Sequence, residues 1–552
     1  MNRQTAPTRA VGQVPSGQNQ NVMHRDADQR AVFEFLADST THGIVEPVMR
    51  IDTHGACVFL AGREVYKVKR AVSYPFMDFS TLERRWRACE NEIAVNKENA
   101  PDIYLGVVPI VRDPQSRLQI GGVGKIVEWA VHLRRFDETH TLDILADRGD
   151  LSPELIPDLA KVVLKSHRRA AIRDGAPAIA ALMQQAKDTV TELGGAVDML
   201  CARLVNKFGG TILERIRALE PLLMERGKLG KVRRCHGDLH LRNIVLINRR
   251  PVLFDAIEFD EAIATCDVLY DLAFLLMDLW QRGLRHQANV LLNRYLWGCD
   301  DTKDELAGLA LLPAFMSLRA AIRAKVALEL ARIPSEHSEA ARAQARHYLA
   351  AACDFLEGRP IHLIGIGGLS GTGKTTIAGQ AACLIGRAPG AVHLRSDIER
   401  KRLFNFGECE RLTATAYDPQ VTVKVYARLR ELASTTLHAG QSVIVDAVHL
   451  RQEERDALCE VARETGSSFA GLWLEGPIDL LQQRVAARRF DASDATPEVV
   501  RQQARRSAGI QDWRVLDASE PPDVLADKVA AVQLNAVNSE EPNQPLSASC
   551  DL

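Results

Sequence analysis

Two hydrophobic patterns follow one another along the chain. In the first, short apolar runs alternate with polar and turn residues, and residues 56–70 predict two strands that turn at Gly62. Residues 82–96 repeat apolar positions at helical spacing and predict an amphipathic helix, and longer helical repeats run over residues 153–226. Further strands are predicted over residues 105–111 and 118–129. A strand-rich part followed by helices predicts an α+β domain with two lobes.

The pattern changes after residues 358–360, where Gly358 and Pro360 end the preceding helix. Residues 361–366 form an apolar run typical of a buried strand, and a glycine-rich stretch and a helix from Lys374 follow it. Strands that alternate with helices predict an α/β domain with a mainly parallel sheet. Its other strands are predicted over residues 392–394, 442–445 and 469–474.

These patterns divide the chain into four parts. Residues 1–30 are rich in Gln, Asn, Pro, Gly and Thr and predict a disordered N-terminal lead, and the polar residues 536–552 predict a disordered tail. Residues 31–357 form the predicted α+β domain, and residues 358–535 form the predicted α/β domain.

Composition narrows the expected location and partners of the protein. A formal net charge of −2 over 552 residues gives no bulk attraction to nucleic acid or to anionic membranes. The 11 cysteines are scattered, which is typical of reduced thiols in the cytoplasm. No apolar run reaches the ~18 residues that span a bilayer, and no signal-peptide core is present. We expect a cytoplasmic protein with no membrane association and no obligate protein partner.

A glycine-rich loop connects the strand 361–366 to the next helix. It reads Gly-Leu-Ser-Gly-Thr-Gly-Lys-Thr over residues 368–375, the Walker A pattern in its required strand–loop–helix context. The backbone amides of such a loop face an anion, so it predicts a site for the phosphates of ATP. Lys374 is expected to reach the β- and γ-phosphates, and the Thr375 hydroxyl to bind Mg²⁺. The predicted nucleotide-binding residues are Gly368, Ser370, Gly371, Thr372, Gly373, Lys374, Thr375 and Thr376.

Charged residues after neighbouring strands predict the rest of this site. Asp446 ends the third predicted strand of the domain and is expected to orient the Mg²⁺ shell, with helix capping as its alternative role. Asp397 follows the second strand and is the predicted base for a substrate hydroxyl, or else a helix cap. Arg400 is predicted to bind an anionic substrate. Arg484 and Arg488 are predicted to close over ATP, or else to form a solvated basic helix face.

The first half of the chain carries a second motif, of unrelated design. His236, Asp238 and Asn243 have the spacing of the catalytic loop in protein kinases and aminoglycoside phosphotransferases, and a predicted hairpin brings Asp255 beside Asn243. Gly237 matches the aminoglycoside group. This resemblance implies that Asp238 accepts the proton of a substrate hydroxyl and that Asn243 and Asp255 bind Mg²⁺.

The strand-rich part supplies the expected contacts to ATP in that first half. Lys67 is the favoured lysine for the phosphates, Lys69 on the same strand face is the alternative, and Glu92 is expected to orient the lysine. The nucleotide loop is short, since only residues 53–55 stand in for a glycine-rich lid. This departure from the kinase pattern is the reason to consider that the first domain is a pseudokinase.

Several other residues of the first half match kinase elements. Residues 128–130 are predicted to form a hinge that meets adenine. Asp267 and Asp271 match a helix of the aminoglycoside kinase group and are expected to brace the catalytic loop. Arg319 and Arg323 share a helix face, which predicts either an anionic-substrate site or solvated charge.

The motifs together make the chain similar to two known groups. Residues 360–535 resemble the small P-loop kinases, which include gluconate and shikimate kinases, chloramphenicol phosphotransferase, zeta toxins and polynucleotide 5′-kinases. Residues 45–535 resemble bacterial fused proteins with an aminoglycoside phosphotransferase-like domain and a P-loop ATP-binding domain. That second resemblance is carried by residues 65–70, 79–83, 104–108 and 236–238.

These resemblances imply an ATP- and Mg²⁺-dependent phosphotransferase with two ATP sites. Its acceptor is expected to be a hydroxyl of a small molecule or of a nucleic-acid end. One alternative is an aminoglycoside-type antibiotic phosphotransferase, which needs an acidic pocket, and Glu258, Asp260 and Glu261 are either that pocket or solvated loop residues. A second alternative is a regulatory ATP-binding protein whose N-terminal domain is a pseudokinase.

Overall fold

The computed structural model of the chain describes residues 20–74, 77–487, 492–506 and 512–537. Contacts between residues divide the chain into two units. The N-terminal unit contains the chain up to Asp278 together with Ala314–Leu356, and the C-terminal unit contains Leu279–Pro313 together with the chain from Glu357. The sequence patterns assigned residues 279–313 to the first domain, whereas the structure groups them with the second.

Antiparallel strands form the main sheet of the N-terminal unit. The strands of this unit are β1 Met49–Asp52, β2 Ala56–Ala61, β3 Glu64–Lys69, β4 Ser73–Tyr74, β5 Met77–Asp78, β6 Tyr104–Arg112, β7 Leu118–Ile120, β8 Lys125–Arg134, β9 Val232–Arg234, β10 Ile244–Ile247, β11 Arg250–Leu253 and β12 Thr265–Asp267. The main sheet has the order β1-β2-β3-β8-β6-β7. The predicted turn at Gly62 joins β2 to β3 and has a φ of 60°. The predicted strand 118–129 is split, because Gly121 and Gly122 adopt φ values of 73° and 85° between β7 and β8.

Helices make up most of the rest of the described chain up to Leu356, and α10 and α11 among them belong to the C-terminal unit. The first thirteen helices of the chain are α1 Gln20–Ala37, α2 Leu82–Asn96, α3 Leu142–Arg148, α4 Ile156–Arg169, α5 Gly175–Gly194, α6 Ala202–Ala218, α7 Glu220–Lys228, α8 Glu261–Ala264, α9 Val268–Gln281, α10 Arg285–Gly298, α11 Thr302–Gly308, α12 Leu312–Arg332 and α13 Ser338–Leu356. The predicted helix over residues 82–96 is therefore present as α2. The α+β order predicted for this half is confirmed.

Helix α1 begins at Gln20, inside the segment 1–30 that the sequence predicts to be disordered. Its Phe33 and Leu36 are buried in one cluster with Phe59 and Val68 of the sheet, and this packing orders the helix. Residues 1–19 lie outside the described residues.

One helical stretch among the described residues, Thr302–Arg332, is long and apolar enough to cross a membrane by length and composition alone. Of its most apolar window, 83% is buried inside the protein, as in the core helices of globular domains.

Five parallel strands form the sheet of the C-terminal unit, which confirms the α/β prediction. The remaining elements are β13 His362–Gly368, α14 Lys374–Ala381, β14 Val392–Arg395, α15 Ser396–Leu403, α16 Pro419–His438, β15 Val443–Asp446, α17 Gln452–Thr465, β16 Ser468–Glu475, α18 Ile478–Ala486, α19 Pro497–Arg506, β17 Arg514–Asp517 and α20 Pro522–Val537. The sheet has the order β14-β15-β13-β16-β17. The sequence patterns missed β17, which has four residues and one buried side chain. Helix α20 ends within the tail predicted from residue 536, and the rest of that tail lies outside the described residues.

Glycines in adjacent strands make room for a buried tryptophan in this unit. Gly365 of β13 and Gly471 of β16 are register partners, and Trp513 is 5% exposed. A Cβ atom at Gly471 would lie 2.4 Å from the indole of Trp513, and one at Gly365 would lie 2.6 Å from it. Only glycine therefore lets the indole lie this close to the sheet, directly before β17 begins.

We expect Gly471→Ala to destabilise the protein by about 1–3 kcal/mol, because the added methyl group overpacks the indole site. Urea unfolding followed by circular dichroism measures the effect. Gly379→Ala in α14 is the control, since a Cβ atom there meets no atom within 4 Å, and we expect it to be neutral or stabilising by up to about 1 kcal/mol. Equal effects of the two substitutions would contradict the role of the glycine pair.

Candidate active sites

The glycine-rich loop after β13 curls because three of its glycines adopt left-handed backbone conformations. The φ values are 138° at Gly368, 93° at Gly371 and 89° at Gly373. A Cβ atom at Gly368 would lie 2.6 Å from a carbonyl oxygen of β16, and one at Gly371 would lie 2.5 Å from a carbonyl oxygen of α18. The loop ends at Lys374, where α14 begins, so its amides and the helix N-terminus form a cradle suited to phosphate.

The loop is tied to the neighbouring strand by a short hydrogen bond. Thr375 Oγ1 donates to Asp446 Oδ2 at 2.6 Å, which places both predicted metal ligands at one point. Lys374 Nζ donates to the carbonyl oxygens of Gly368 and Leu369 at 2.9 and 3.0 Å. The ammonium group therefore lies over the loop in which phosphates are expected.

Thr372, Thr376 and Ser370 are further predicted residues of the loop. The Thr372 hydroxyl donates to a carbonyl oxygen of the loop at 2.9 Å, and Thr376 is exposed in the first turn of α14. The Ser370 amide donates to Gln503 Oε1 of α19 at 2.9 Å. Sequence reasoning missed Gln503, because no motif marks a single glutamine 133 residues from its partner.

Two carboxylates near the ends of β14 and β15 have opposite pKa shifts. Burial alone would raise the pKa of Asp446, but its hydrogen bond with His393 and the charges of Lys374 and Arg395 lower it. Burial raises the pKa of Asp397 in the first turn of α15, although Arg395 opposes this shift. Asp446 is thus held as an anion suited to a metal, while Asp397 is a stronger base than an ordinary aspartate.

Two predicted arginines of this site are engaged with backbone oxygens. Arg400 is 7% exposed, and its Nη1 donates to the Ala416 carbonyl oxygen at 2.7 Å. Its guanidinium holds the segment after α15, and the binding of an anionic substrate by Arg400 stays a prediction. Arg484 Nη1 donates to the Ala518 carbonyl oxygen at 2.9 Å. Arg488 lies outside the described residues.

In the N-terminal unit, two lysines extend from the same face of β3 to one glutamate. Lys67 Nζ lies 2.8 Å from Glu92 Oε1 and 3.1 Å from Asp255 Oδ1. Lys69 Nζ lies 2.6 Å from Glu92 Oε2 and also pairs with Glu258. The Lys69 side chain is 2% exposed and that of Lys67 is 18% exposed. The geometry therefore favours Lys67, beside Asp255, as the lysine available to phosphate.

The predicted base and metal ligands of this unit lie on the catalytic loop and the hairpin after it. Asn243 Nδ2 donates to Asp238 Oδ2 and to the Asp238 carbonyl oxygen, both at 2.9 Å. Burial alone would raise the pKa of Asp238, but the contact with His240 first, and then His236 and Arg319, lower it. Asp255 follows β11 with a φ of 59°, and its amide donates to Tyr104 Oη at 3.1 Å. This strained backbone turns its carboxylate toward Lys67.

Two buried charged residues brace the catalytic loop. Asp271 of α9 accepts hydrogen bonds from the amides of His236 and Gly237 at 3.1 and 2.9 Å, as the family resemblance implied. Arg319 of α12 is 2% exposed and donates to the Gly237 carbonyl oxygen at 3.1 Å. Arg319 is therefore neither a substrate ligand nor a solvated charge, the two roles that its helix position predicted.

Two further expectations for this unit differ from the structure, and the role of Arg323 stays a prediction. Residues 128–130 lie inside β8, between β3 and β6, so they are not a hinge. Asp267 forms a buried ion pair with Arg226, with Oδ2 2.6 Å from Nε. The Arg323 guanidinium lies 5.8 Å from the ring centre of Tyr348.

We expect Glu92→Gln to change how the stability of the protein depends on pH. Burial alone would raise the pKa of Glu92, but Lys67 and Lys69 lower it from 4.5 to about 2. The ionised group therefore stabilises the fold above pH 4.5, and this contribution is lost as the pH falls from there toward 2. Its magnitude is on the order of 3 kcal/mol.

Urea midpoints measured across that pH window test this expectation. Glu92→Gln should be less stable than wild type at neutral pH and should lose less on acidification. Glu90→Gln, on the exposed side of α2, is the control. The same pH slope in wild type and Glu92→Gln would contradict the role of the ion pairs.

Sequence comparisons relate both parts of the chain to other proteins. Residues 363–509 match the family model described as an AAA domain. Uncharacterized proteins of Mycobacterium tuberculosis and Mycobacterium bovis are 29% identical to this chain over 485 residues, which is 86% of this chain and 93% of theirs.

Solved structures of three other proteins are similar to parts of the chain. A choline/ethanolamine kinase family protein from Mesorhizobium loti covers 59% of this chain and 98% of its own, at 15% identity and a TM-score of 0.35. A gluconokinase from Sinorhizobium meliloti covers 34% of this chain and 100% of its own, at 19% identity and a TM-score of 0.25. A sugar kinase from Janibacter covers 33% of this chain and 97% of its own, at 24% identity and a TM-score of 0.24. The chain thus carries a P-loop domain that the AAA model matches over residues 363–509, after an α+β region.

Proposed function

We propose that the C-terminal unit is an ATP- and Mg²⁺-dependent phosphotransferase that acts on a hydroxyl group. The observation that carries the proposal is the 2.6 Å hydrogen bond from Thr375 Oγ1 to Asp446 Oδ2 beside the glycine cradle. A hydroxyl and an anionic carboxylate at this position form the oxygen donor set that Mg²⁺ prefers. The half-buried Asp397 adds a carboxylate whose raised pKa suits proton transfer.

The residues of this unit fit MgATP by their chemistry. The cradle at Gly368 and Gly371 leaves no room for a Cβ atom, so backbone amides rather than side chains line it. Bound MgATP supplies the transferable phosphoryl group and the metal charge that neutralises its oxygens. Thr375 and Asp446 would hold the metal, and Lys374 would neutralise charge on the phosphates.

Asp397 has the role of the base in this mechanism. As the acceptor oxygen forms its bond to the γ-phosphorus, the bond from that phosphorus to the bridging oxygen of ADP breaks, and the acceptor proton passes to Asp397. Most of the rate enhancement then comes from positioning and charge neutralisation.

We propose that the N-terminal unit holds a second site of this kind. Lys67 bridges Glu92 and Asp255, and Asn243 holds the carboxylate of Asp238, so the base, the metal ligands and the phosphate-binding lysine are all present and connected. These contacts support an active arrangement over the pseudokinase alternative. The observation that keeps the alternative open is the tight turn between β1 and β2, where Thr53 donates its amide to the Ala56 carbonyl oxygen at 2.8 Å.

An aminoglycoside acceptor is poorly supported by the charges near this site. Glu258 pairs with Lys69, and Glu261 pairs with Arg173 at 3.0 Å. The Asp260 side chain accepts hydrogen bonds from two amides of α8. Because Lys69 pairs with Glu258 and two arginines, Arg173 and Arg234, pair with Glu261, the group offers little net negative charge to a polycation. We therefore favour a small-molecule or nucleic-acid-end hydroxyl as the acceptor.

We also propose a cytoplasmic location without an obligate protein partner. The cysteines that the structure describes are free thiols, which suits a reducing compartment.

Transfer of radiolabelled γ-phosphate from ATP to metabolite pools and to 5′-hydroxyl oligonucleotides tests both sites. We expect Lys374→Ala and Asp238→Ala each to lower the rate of transfer to a different acceptor at least about 100-fold. Each substitution removes a group that acts in the transition state. Lys424→Ala, on an exposed position of α16, is the matched control.

Three outcomes separate the alternatives. If the transfer that remains in Lys374→Ala has the same rate after Asp238→Ala is added, the two-site proposal is contradicted. Nucleotide binding without transfer by the N-terminal unit would favour the regulatory alternative. Raised aminoglycoside tolerance in cells that express the protein would favour the antibiotic alternative.

The proposed base makes a separate prediction about pH. Transfer by the C-terminal unit, measured in the Asp238→Ala protein, should fall as the pH is lowered through the raised pKa of Asp397, because protonation removes the base. This acid limb should lie above the range of an ordinary aspartate, whose pKa is about 3.9. Asp397→Asn should lose most of the rate together with the limb. An unchanged limb in Asp397→Asn would contradict the assignment.

A further inference from the structure

The edge strand of the C-terminal sheet is covered by a helix that comes from far earlier in the chain. In the described residues β14 pairs with β15 on one side and with no strand on the other. An exposed edge of this kind leaves backbone groups unpaired. Helix α10, in the segment Leu279–Pro313 that groups with this unit, lies along that edge and supplies side chains to it.

Asparagines of α10 bind the backbone at the start of the edge. Asn289 Nδ2 donates to the carbonyl oxygens of Pro389 and Ala391 at 3.1 and 3.0 Å. Asn293 Nδ2 donates to the Ala391 carbonyl oxygen at 3.2 Å. Both asparagines are buried, with 2% and 4% exposure. Buried amides with satisfied partners fix one register between helix and strand.

Side chains of α10 also bind the backbone of His393. The His393 amide donates to Asn293 Oδ1 at 2.8 Å, and Trp297 Nε1 donates to the His393 carbonyl oxygen at 2.9 Å. Both backbone groups of His393 are therefore held by α10, in place of the neighbouring strand that an interior position would have.

The spacing of this row matches helix to strand. Asn289, Asn293 and Trp297 are four residues apart on α10, a rise of about 6 Å per step. Their backbone partners on and before β14 are two residues apart, a rise of about 6.6 Å per step. The three side chains thus follow the edge in step, as a ladder of side-chain hydrogen bonds.

The ladder ends at the candidate catalytic groups. His393 Nε2 lies 3.3 Å from Asp446 Oδ2, the oxygen that also accepts the Thr375 hydroxyl. The Arg395 guanidinium lies 5.3 Å from the ring centre of Trp297. Asp397 follows two residues later, so α10 supports the strand that leads to the proposed base.

We propose that α10 is a positioning element of the P-loop site, and that His393, held by Asn293 and Trp297, orients Asp446 toward the metal. The inference rests on the proposed binding of MgATP by this unit. It assigns a positioning role to a helix that the sequence patterns place in the other domain. A residue that orients a metal ligand typically changes metal affinity about 10–100-fold when it is replaced.

Titration calorimetry with ADP, with and without Mg²⁺, tests the proposal in the full-length protein. The experiments use the Asp255→Ala protein, which removes a proposed metal ligand of the other site. His393→Leu removes the contact to Asp446, and His393→Gln restores a donor. Trp297→Phe keeps a ring but removes the donor to His393. The control is His362→Gln, a buried histidine at the opposite end of β13 that contacts Ser468.

We expect His393→Leu to raise the Mg²⁺ concentration for half-maximal Mg²⁺-dependent binding about tenfold, with unchanged ADP affinity in the absence of Mg²⁺. His393→Gln should recover most of this loss, and Trp297→Phe should shift in the same direction as His393→Leu by a smaller factor. A fold defect alone would weaken both kinds of binding together.

Two results would overturn the inference, and they are distinguishable. Mg²⁺-dependent binding that is unchanged in His393→Leu, or changed equally by His362→Gln, would overturn the positioning role and leave the proposed function intact. No Mg²⁺-dependent binding in the parent protein would overturn the proposed function of this unit and the inference with it.

Discussion

The hydrogen bond from Thr375 to Asp446 is the interaction on which the C-terminal unit depends. It joins the first turn of α14 to the end of β15, and the parallel register that places Ile366 opposite Asp446 makes it possible. A shift of one residue in that register would turn the carboxylate to the other face of the sheet. The glycine-rich loop, the neighbouring His393 and the side chains of α10 that bind the edge strand all support the position of these two residues.

The site that we propose in the N-terminal unit is built from charged side chains rather than from backbone amides. Glu92 holds two lysines in a site from which water is largely excluded, and Asp271 holds two amides of the catalytic loop. Removing one member of such a network leaves an uncompensated buried charge, so its geometry is strongly specified. The glycine-rich loop itself relies less on charged side chains, because its amides and the N-terminus of the following helix already favour an anion.

Local chemistry made much of both sites predictable from the sequence, and distant packing made the rest unpredictable. The loop 368–375 needs glycine conformations that its own residues encode, and strand alternation placed Lys67 and Lys69 on one face. By contrast, Arg319 bonds to Gly237, 82 residues away, and Asn289 bonds to Ala391, 102 residues away. Helical periodicity indicates which side of a helix is buried but not what it is buried against, so the roles of Arg319, Arg400 and α10 had no sequence signal.

We propose that one chain holds two separate nucleotide sites, one in each unit. The decisive experiment measures how many molecules of a non-hydrolysable MgATP analogue bind to one full-length chain. Wild type should bind two molecules per chain, and Lys374→Ala and Lys67→Ala should each bind one. A stoichiometry of one in wild type, or a loss of both sites in either variant, would contradict the claim.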